Sequence, residues 1–271
     1  QGLGLEEPIG GLEIINAGLS RRNADYVDHL YGRLRREGYL RRDVQRMVNT
    51  DRNSFASAMI ALADADAMVT GVTRNFDQCV QDVTRVIDPA PGARVLGLSV
   101  LLARGRTLFV ADTSIRELPS SEDLVEIACE AATAVRRLGH TPRVAFLSYS
   151  TFGHPKGEQP QRVRRAVELM DQRGVDFEYE GEMPPDVALD AALWANYPFQ
   201  RLTEPANILI MPAIHSAAIS TRLVQSLGGA TVIGPLLVGL EKSVQIVSLG
   251  ASVSEIITAA TFAAYDEGAA A

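Results

Sequence analysis

Val144-Ala145-Phe146-Leu147-Ser148 is an apolar run that gives way to a polar loop, Tyr149-Ser150-Thr151-Phe152-Gly153-His154-Pro155-Lys156-Gly157. A helix-period stretch over 162–172 follows, closed by Gly174, and a second run of strand character covers 175–179. Strand, loop, helix and strand in that order make the repeating unit of a parallel sheet, since parallel neighbours need a crossover that a helix supplies. The rhythm continues downstream with a strand at 208–211 and a helix running through 220–227 to Gly228-Gly229. Strands at 231–238 and 244–247 come next, and Ser252 opens a last helix. Upstream, apolar runs at 94–103 and 107–111 flank Arg104-Gly105-Arg106, which reads as a hairpin or an antiparallel edge pair. Pro119-Ser120-Ser121-Glu122-Asp123 then opens a helix with a serine cap and an acidic first turn.

The first third is helical. Val27, Leu30, Tyr31 and Leu34 keep one helical face, with Gly38 as the stop; Phe76, Cys79, Val80, Val83 and Ile87 keep another, ending before Pro89. A short buried strand at 67–71 feeds the second helix. The pattern predicts an α/β fold: three layers, α/β/α, with mainly parallel sheets.

Composition narrows the function. The 271 residues are 46% hydrophobic and carry a formal charge of −7, which suits a globular chain and speaks against a nucleic-acid partner, whose phosphates demand a basic face. Nine arginines lie between Arg21 and Arg52, and the default for such a run is solvated helix faces. No apolar run reaches the ~20 residues of a membrane span. Cys79 and Cys129 sit on apolar stripes and read as buried, reduced thiols of a cytoplasmic protein. His29, His140, His154 and His215 have no metal-ligand spacing, so no metal site is expected. The chain opens on Gln1-Gly2-Leu3-Gly4, which suggests a piece of a longer protein.

In parallel sheets ligands bind beyond the carboxyl ends of the strands. The loops to search are therefore 148–157, 181–186, 212–218 and 247–252. None holds GxGxxG or GxxxxGK[ST], so a dinucleotide or P-loop site has no local support.

Leu147-Ser148-Tyr149-Ser150-Thr151-Phe152-Gly153, Gly181-Glu182 with Asp186, Ala206-Asn207-Ile208-Leu209, Leu227-Gly228-Gly229-Ala230, Ile233-Gly234-Pro235, Gly239-Leu240 and Ser248-Leu249-Gly250 follow one another along the chain. Upstream stand Phe109-Val110-Ala111-Asp112 and Leu118-Pro119-Ser120-Ser121-Glu122-Asp123. In this order they resemble the phosphotransacetylase (phosphate acetyl/butyryltransferase) family, from about Tyr26 to the end. Thr231 to Lys242, His215-Ser216-Ala217 before it, Asp64 to Asn75 and Gly181-Glu182-Met183 are most similar to the phosphotransacetylase-like C-terminal domain of bacterial multidomain NADP-dependent malic enzymes.

The resemblance implies two subdomains with a cleft between them, expected at 1–90 plus 248–271 and at 91–247, the first lacking its initial strand–helix segment. It also implies a chemistry. A carboxylate takes the proton of the coenzyme A thiol, a serine–arginine pair stabilises the oxyanion, and further arginines hold phosphate. Carried over by position, the serine is Ser248, the base falls on Glu255, one methylene longer than aspartate, and one phosphate arginine falls on Arg35. The oxyanion arginine becomes Leu249 and a second phosphate arginine becomes Gln81. Ser148, Ser150, Thr151, Gly153, Gly234, Pro235 and Ser248 are the expected acyl-CoA and phosphate contacts. One lost oxyanion donor typically costs ~10²–10³ in rate, and the combined losses exceed ~10⁴.

The expected function is thus a catalytically damaged regulatory domain that binds acetyl-CoA, pairs as a homodimer and serves malic enzyme domains of the same polypeptide. No cofactor is expected in this domain; NADP and a divalent metal belong to the malic enzyme portion. The alternatives are an active phosphate acetyltransferase borrowing Arg74 or Arg222, and a purely structural dimerisation domain. Several residues also have plain structural roles. Ser252-Val253-Ser254-Glu255 fits a capping box, His215 reads as a packed polar residue, Arg35 as a solvated one, and Trp194 with Tyr197 and Phe199 as an interface or core patch.

Overall fold

The computed structural model describes residues 13–270, with side chains to Tyr265. Residues 1–12 and 271 of the expected first subdomain lie outside the described residues.

The hairpin organises the larger unit. Strands β2 (Leu96–Ala103) and β3 (Arg106–Ala111) pair antiparallel about Arg104 and Gly105, whose φ values of 50° and 72° are those of a primed two-residue turn. The pair does not sit at an edge. With β4 (Arg143–Leu147), β5 (Glu178–Met183), β6 (Ile208–Ile210) and β7 (Thr231–Val238) it forms a six-stranded sheet in the order β5-β4-β6-β3-β2-β7, so β7 takes the edge beyond the hairpin. From β5 through β3 neighbours are parallel; β2 joins both its neighbours antiparallel.

Helices cover both faces, which gives the three-layer α/β/α arrangement. On one side α5 (Ser121–Arg137) and α6 (Glu158–Arg173) bury Leu124, Ile127, Val135 and Met170 against Phe109, Val144, Phe146 and Ile208. Their limits follow from local chemistry. Ser120 and Asp123 form a reciprocal capping box, and Gly174, at φ 66°, ends α6. On the other side α7 (Pro185–Leu189), α8 (Ile214–Gly228) and the 191–202 segment pack on Leu101, Val110, Ala145 and Leu209. The strand expected at 175–179 begins at Glu178, because the three residues after Gly174 only return the chain to the sheet.

The smaller unit is built around two parallel strands, β1 (Ala67–Val72) and β8 (Ser243–Leu249). Helices α1 (Asn23–Leu34), α2 (Arg41–Thr50), α3 (Arg52–Ala61) and α4 (Phe76–Thr84) share one core with Met68, Val244 and Ile246. The expected boundary at 247/248 therefore cuts through β8, whose pairing with β1 begins at Ser243. Helix α4 stops at Thr84, earlier than Ile87, although Val86 and Ile87 still reach the core. Cys79 is buried as expected, while Cys129 is only half-buried.

Helix α9 (Val253–Ala270) joins the units. Ser243 Oγ donates to Ala263 O at 2.8 Å on the small sheet's side, and Tyr265 Oη donates to Arg137 O at 2.6 Å at the end of α5. No described helix is long and apolar enough to cross a membrane.

Candidate functional site

Two β-bulges face each other where the units meet. On β8, Val247 pairs with Gly71 and Leu249 with Val72, so Ser248 has no partner across the ladder. A residue left unpaired in this way is turned out of the strand's alternation, and Ser248 is turned into the cleft. Gly71 makes this possible. A Cβ there would lie 2.0 Å from Val247 O, so only glycine lets β1 pass so close beside Ser248. On β7, Ile233 pairs with Val100 and Leu236 with Leu98, which leaves Gly234 and Pro235 opposite the single residue Ser99.

The cleft consists of two abutting hollows of about 440 and 550 Å³ that share Gln225, Val232, Gly234, Pro235, Ser248 and Glu255. Four of the expected site residues are thereby brought together: Ser248, Glu255, Gly234 and Pro235. Sequence reasoning did not single out the wall opposite, which carries Ser99, Thr113, Ser114 and Gln225. Asp112 builds that wall. Its buried carboxylate accepts N–H bonds from Gly97, Ser114, Ile115 and Arg116 at 2.9–3.2 Å, which folds the 112–116 loop over the sheet. Burial pushes the Asp112 carboxyl up from its ordinary pKa, against the pull of those amides. Thr113 Oγ1 donates to Gly97 O, so the 3.0 Å contact between Ser99 and Thr113 is a bond donated by Ser99. The signal for this wall lay in the sequence, two residues beyond the Phe109-Val110-Ala111-Asp112 motif.

Glu255 has two duties. Oε2 accepts both the amide and the hydroxyl of Ser252 at 2.7 Å, while the Glu255 amide donates to Ser252 Oγ at 3.3 Å. The expected capping box is therefore present. The Ser252 bonds hold the Glu255 carboxyl below its ordinary pKa, which makes it a weaker base for a thiol. Oε1 has no protein partner among the described groups, and Glu255 lines the cleft.

The arginines are distributed otherwise than the resemblance implies. Leu249 is 61% exposed at the end of β8 and lines neither hollow. Gln81 lies on the outer side of α4 in a separate hollow with Arg33 and Asp88, and Arg35 is exposed in the turn after α1, away from the cleft. Arg74 is held by Asp51 and by Asp82 at 2.9 Å, so its charge is spent on its own unit. Arg222, on α8, does line the cleft and has no protein partner among the described residues.

The loop after β4 forms a second, closed group. Glu182 is also a bulge residue, between Gly181 and Met183 in the pairing of β5 with β4, and it is fully buried. Ser150 Oγ and the Gly153 amide each donate to it at 2.9 Å, Arg164 donates at 3.0 and 3.1 Å, and Ser148 contacts Ser150 at 2.9 Å. Burial opposes the Glu182 charge, but Arg164, the Gly153 amide and Ser150 outweigh it and hold the pKa below the ordinary value. Ser148, Ser150 and Gly153 thus spend their donors inside the protein. The Thr151 amide donates to His154 O at 2.7 Å, and none of the four lines the cleft.

Trp194 Nε1 donates to Val187 O at 2.8 Å, and Tyr197 and Phe199 stack around Phe152 at 5.2 and 5.0 Å, away from the cleft. His215 is exposed, 3.6 Å from Glu117, and is not packed as expected: α8 begins at Ile214 and turns it to solvent. Among the described residues no cluster of His, Cys, Asp and Glu could hold a metal ion.

Comparison with known proteins gives this architecture its relatives. The chain is 58% identical over 265 residues to an NADP-dependent malic enzyme of Rhizobium meliloti, covering 98% of this chain and 35% of that protein. It is 43% identical to a probable NADP-dependent malic enzyme of Rickettsia prowazekii, covering 96% and 35%. The chain therefore spans about a third of the length of these relatives. Among solved structures, the EutD phosphotransacetylase from Staphylococcus aureus superposes with a TM-score of 0.85 at 27% identity, over 96% of this chain and 80% of that one. The family model for phosphate acetyl/butaryl transferase matches residues 2–264, and the chain belongs to that family.

Proposed function

We propose that this domain binds acetyl-CoA in the cleft between its two units and regulates an NADP-dependent malic enzyme of which it is the C-terminal part. The malic enzyme portion, outside this chain, carries out the oxidative decarboxylation of malate to pyruvate with NADP and a divalent metal. The observation that carries the reading is a cleft that gathers Ser248, Glu255 and Arg222, while Leu249, where the resemblance implies the oxyanion arginine, is exposed and lines neither hollow. Without that donor, and with Glu255 held as a weakened base, thiol activation and oxyanion stabilisation both fail. Binding survives such losses better than catalysis, since uniform binding needs no group that acts only in the transition state.

Helix α8 offers the route to the rest of a cytoplasmic assembly. Ala218, Thr221, Arg222 and Gln225 line the cleft from one side of it, and Ile219, Leu223 and Leu227 form an exposed apolar stripe on another. A second copy seated on that stripe would make a homodimer whose interface shares a helix with the ligand cleft.

Calorimetric titration with acetyl-CoA tests the proposal. The expected result is saturable heat and a rise in melting temperature, with arsenolysis of acetyl phosphate at background. Absence of both heat and melting shift at millimolar ligand overturns it, and leaves the domain a dimerisation module if sedimentation still shows a dimer. A second reading, an active phosphate acetyltransferase, draws on Ser248, Glu255 and the unpaired Arg222 in one cleft. Turnover above background that is lost in Ser248→Ala would establish it.

A further inference from the structure

The segment from Arg21 to Arg52 holds nine arginines and five carboxylates, so it carries +4 and leaves −11 on the rest of a chain whose total is −7. Much of that excess gathers at one turn. Arg35 and Arg36, in the 3₁₀ turn after α1, and Arg41 and Arg42, which open α2, flank Gly38-Tyr39-Leu40. Arg41 pairs with Asp28. The side chains of Arg35, Arg36 and Arg42 are exposed and have no partner among the described residues. Leu40, between them in sequence, is 51% exposed. The placement runs against local stability. Arg41 and Arg42 are the first two residues of α2, where unpaired amides already make the positive end of the helix dipole and disfavour a cation. A local rule broken with no repayment inside the chain marks a surface kept for a contact.

The large unit carries the complement. After β3 the chain runs Glu117-Leu118-Pro119-Ser120-Ser121-Glu122, with Leu118 62% exposed between two exposed carboxylates. Glu122 has no side-chain partner among the described residues. Glu117 meets only His215, at 3.6 Å and in the open, where such a pair has little weight. Arg116 and Asp123, which flank the stretch, satisfy each other. Each place is thus an exposed leucine beside unpaired charges of one sign, and the signs are opposite. They lie on different units, and no hydrogen bond or ion pair among the described residues joins them within one chain.

We infer that the arginine turn at 35–42 docks on the acidic rim at 117–122 of a second copy of this chain, Leu40 against Leu118 with guanidinium–carboxylate pairs around them. Arginine forks suit carboxylates, and arginine is favoured at interfaces where lysine is not. A second copy is the favoured occupant because the carboxylate surplus is the chain's own, and the same surplus repels a nucleic acid. The contact is head to tail. Each copy keeps one free turn or one free rim, so the assembly grows or closes into a ring, unlike a self-complementary pairing through α8. The inference does not depend on the acyl-CoA reading.

Sedimentation velocity at about 10 mM and about 1 M salt, across which the Debye length falls from ~30 to ~3 Å, tests it on the intact protein. Species larger than a dimer are expected at low salt and should disperse at high salt. Arg36→Glu/Arg42→Glu and Glu117→Arg/Glu122→Arg, all at exposed positions, should each associate about tenfold or more weakly beyond the dimer, since turn and rim then carry the same sign. An equimolar mixture of the two double variants should regain the large species, because every turn again meets a rim of opposite charge. Circular dichroism and melting of each variant establish that it is folded. Sedimentation that does not change with salt overturns the inference, and so does a mixture of folded variants that fails to associate. Loss of assembly on reversing Arg36 and Arg42 in the full-length polypeptide, with this chain alone never larger than a dimer, also overturns it and moves the partner to the preceding domains.

Discussion

Two bulge residues, Glu182 and Ser248, have been given opposite fates. Each is the unpaired residue of a parallel strand pair, and each is turned aside near a carboxyl end of its strand. Around Glu182 the fold has closed completely: Ser150, the Gly153 amide and Arg164 consume the carboxylate, and nothing remains for a ligand. Around Ser248 the fold has stayed open: Ser248, Glu255 and Arg222 line one cleft, and the Ser248 hydroxyl, the Glu255 Oε1 and the Arg222 guanidinium have no protein partner among the described residues. The same backbone device makes a structural rivet in one place and a candidate binding site in the other. What separates them is contact: Arg164 reaches Glu182 from α6 and pairs with it, whereas Arg222 lines the other cleft without a partner among the described residues.

Breaking the closed side should have the largest effect. Glu182→Ala leaves Arg164, the Ser150 hydroxyl and the Gly153 amide without their acceptor, and a loss of about 3–5 kcal/mol is expected by denaturant unfolding. Acetyl-CoA affinity of the folded fraction should not change, because none of these residues lines the cleft. On the open side, Leu249→Arg restores one donor near Ser248 and should raise acetyl transfer by at most about 10²-fold over background. Adding Gln81→Arg should contribute nothing, since position 81 belongs to another hollow; a further gain in the double variant would mean that α4 moves on ligand binding. Arg222→Ala should weaken acetyl-CoA binding about fivefold to tenfold at low salt and less at high salt, as expected for an exposed cation facing phosphates.

Both carboxylates, Glu182 and Glu255, are held below the ordinary pKa by different partners. The Glu182 pKa is lowered on folding, so its contribution is fully present above the ordinary carboxylate range and is lost as pH falls through the depressed value. Unfolding followed between about pH 5 and pH 2 should show this as a steep loss of stability that flattens in Glu182→Gln. The smallest expected effect is that of Ser252→Ala, which removes half of the capping box for about 1 kcal/mol. It should also let the Glu255 pKa return toward its ordinary value, measurable by carboxyl NMR.

Much of this was legible from residue order. The βαβ run from Val144 and the turn at Arg104-Gly105 are local signals, and the structure keeps both. The hairpin's inner position was not legible, because β7, more than a hundred residues later, pairs beyond it. Helices α2 and α3 escaped notice, as their arginines, Asn49 and Ser54 blur the apolar stripe of Val44, Val48 and Phe55. At the site, Ser248, Glu255, Gly234 and Pro235 were found through short motifs. Ser148, Ser150 and Gly153 matched motifs equally well, but no local pattern says that Glu182 will claim their donors. Gln245 is one polar residue inside the apolar run at 244–247, and no local pattern marks the Leu237 backbone as its partner.

Gln245 also constrains motion. It belongs to the small sheet, yet its carboxamide holds the backbone of the large sheet's edge at Leu237, in a dry place where both bonds would be expensive to break. The two units cannot slide past each other along β7 without breaking both. Leu237 itself packs in the small unit's core, so the edge of the large sheet is held there by its side chain as well as by its backbone. Gln245 is thus a clamp between the two sheets, three residues along the same strand from Ser248.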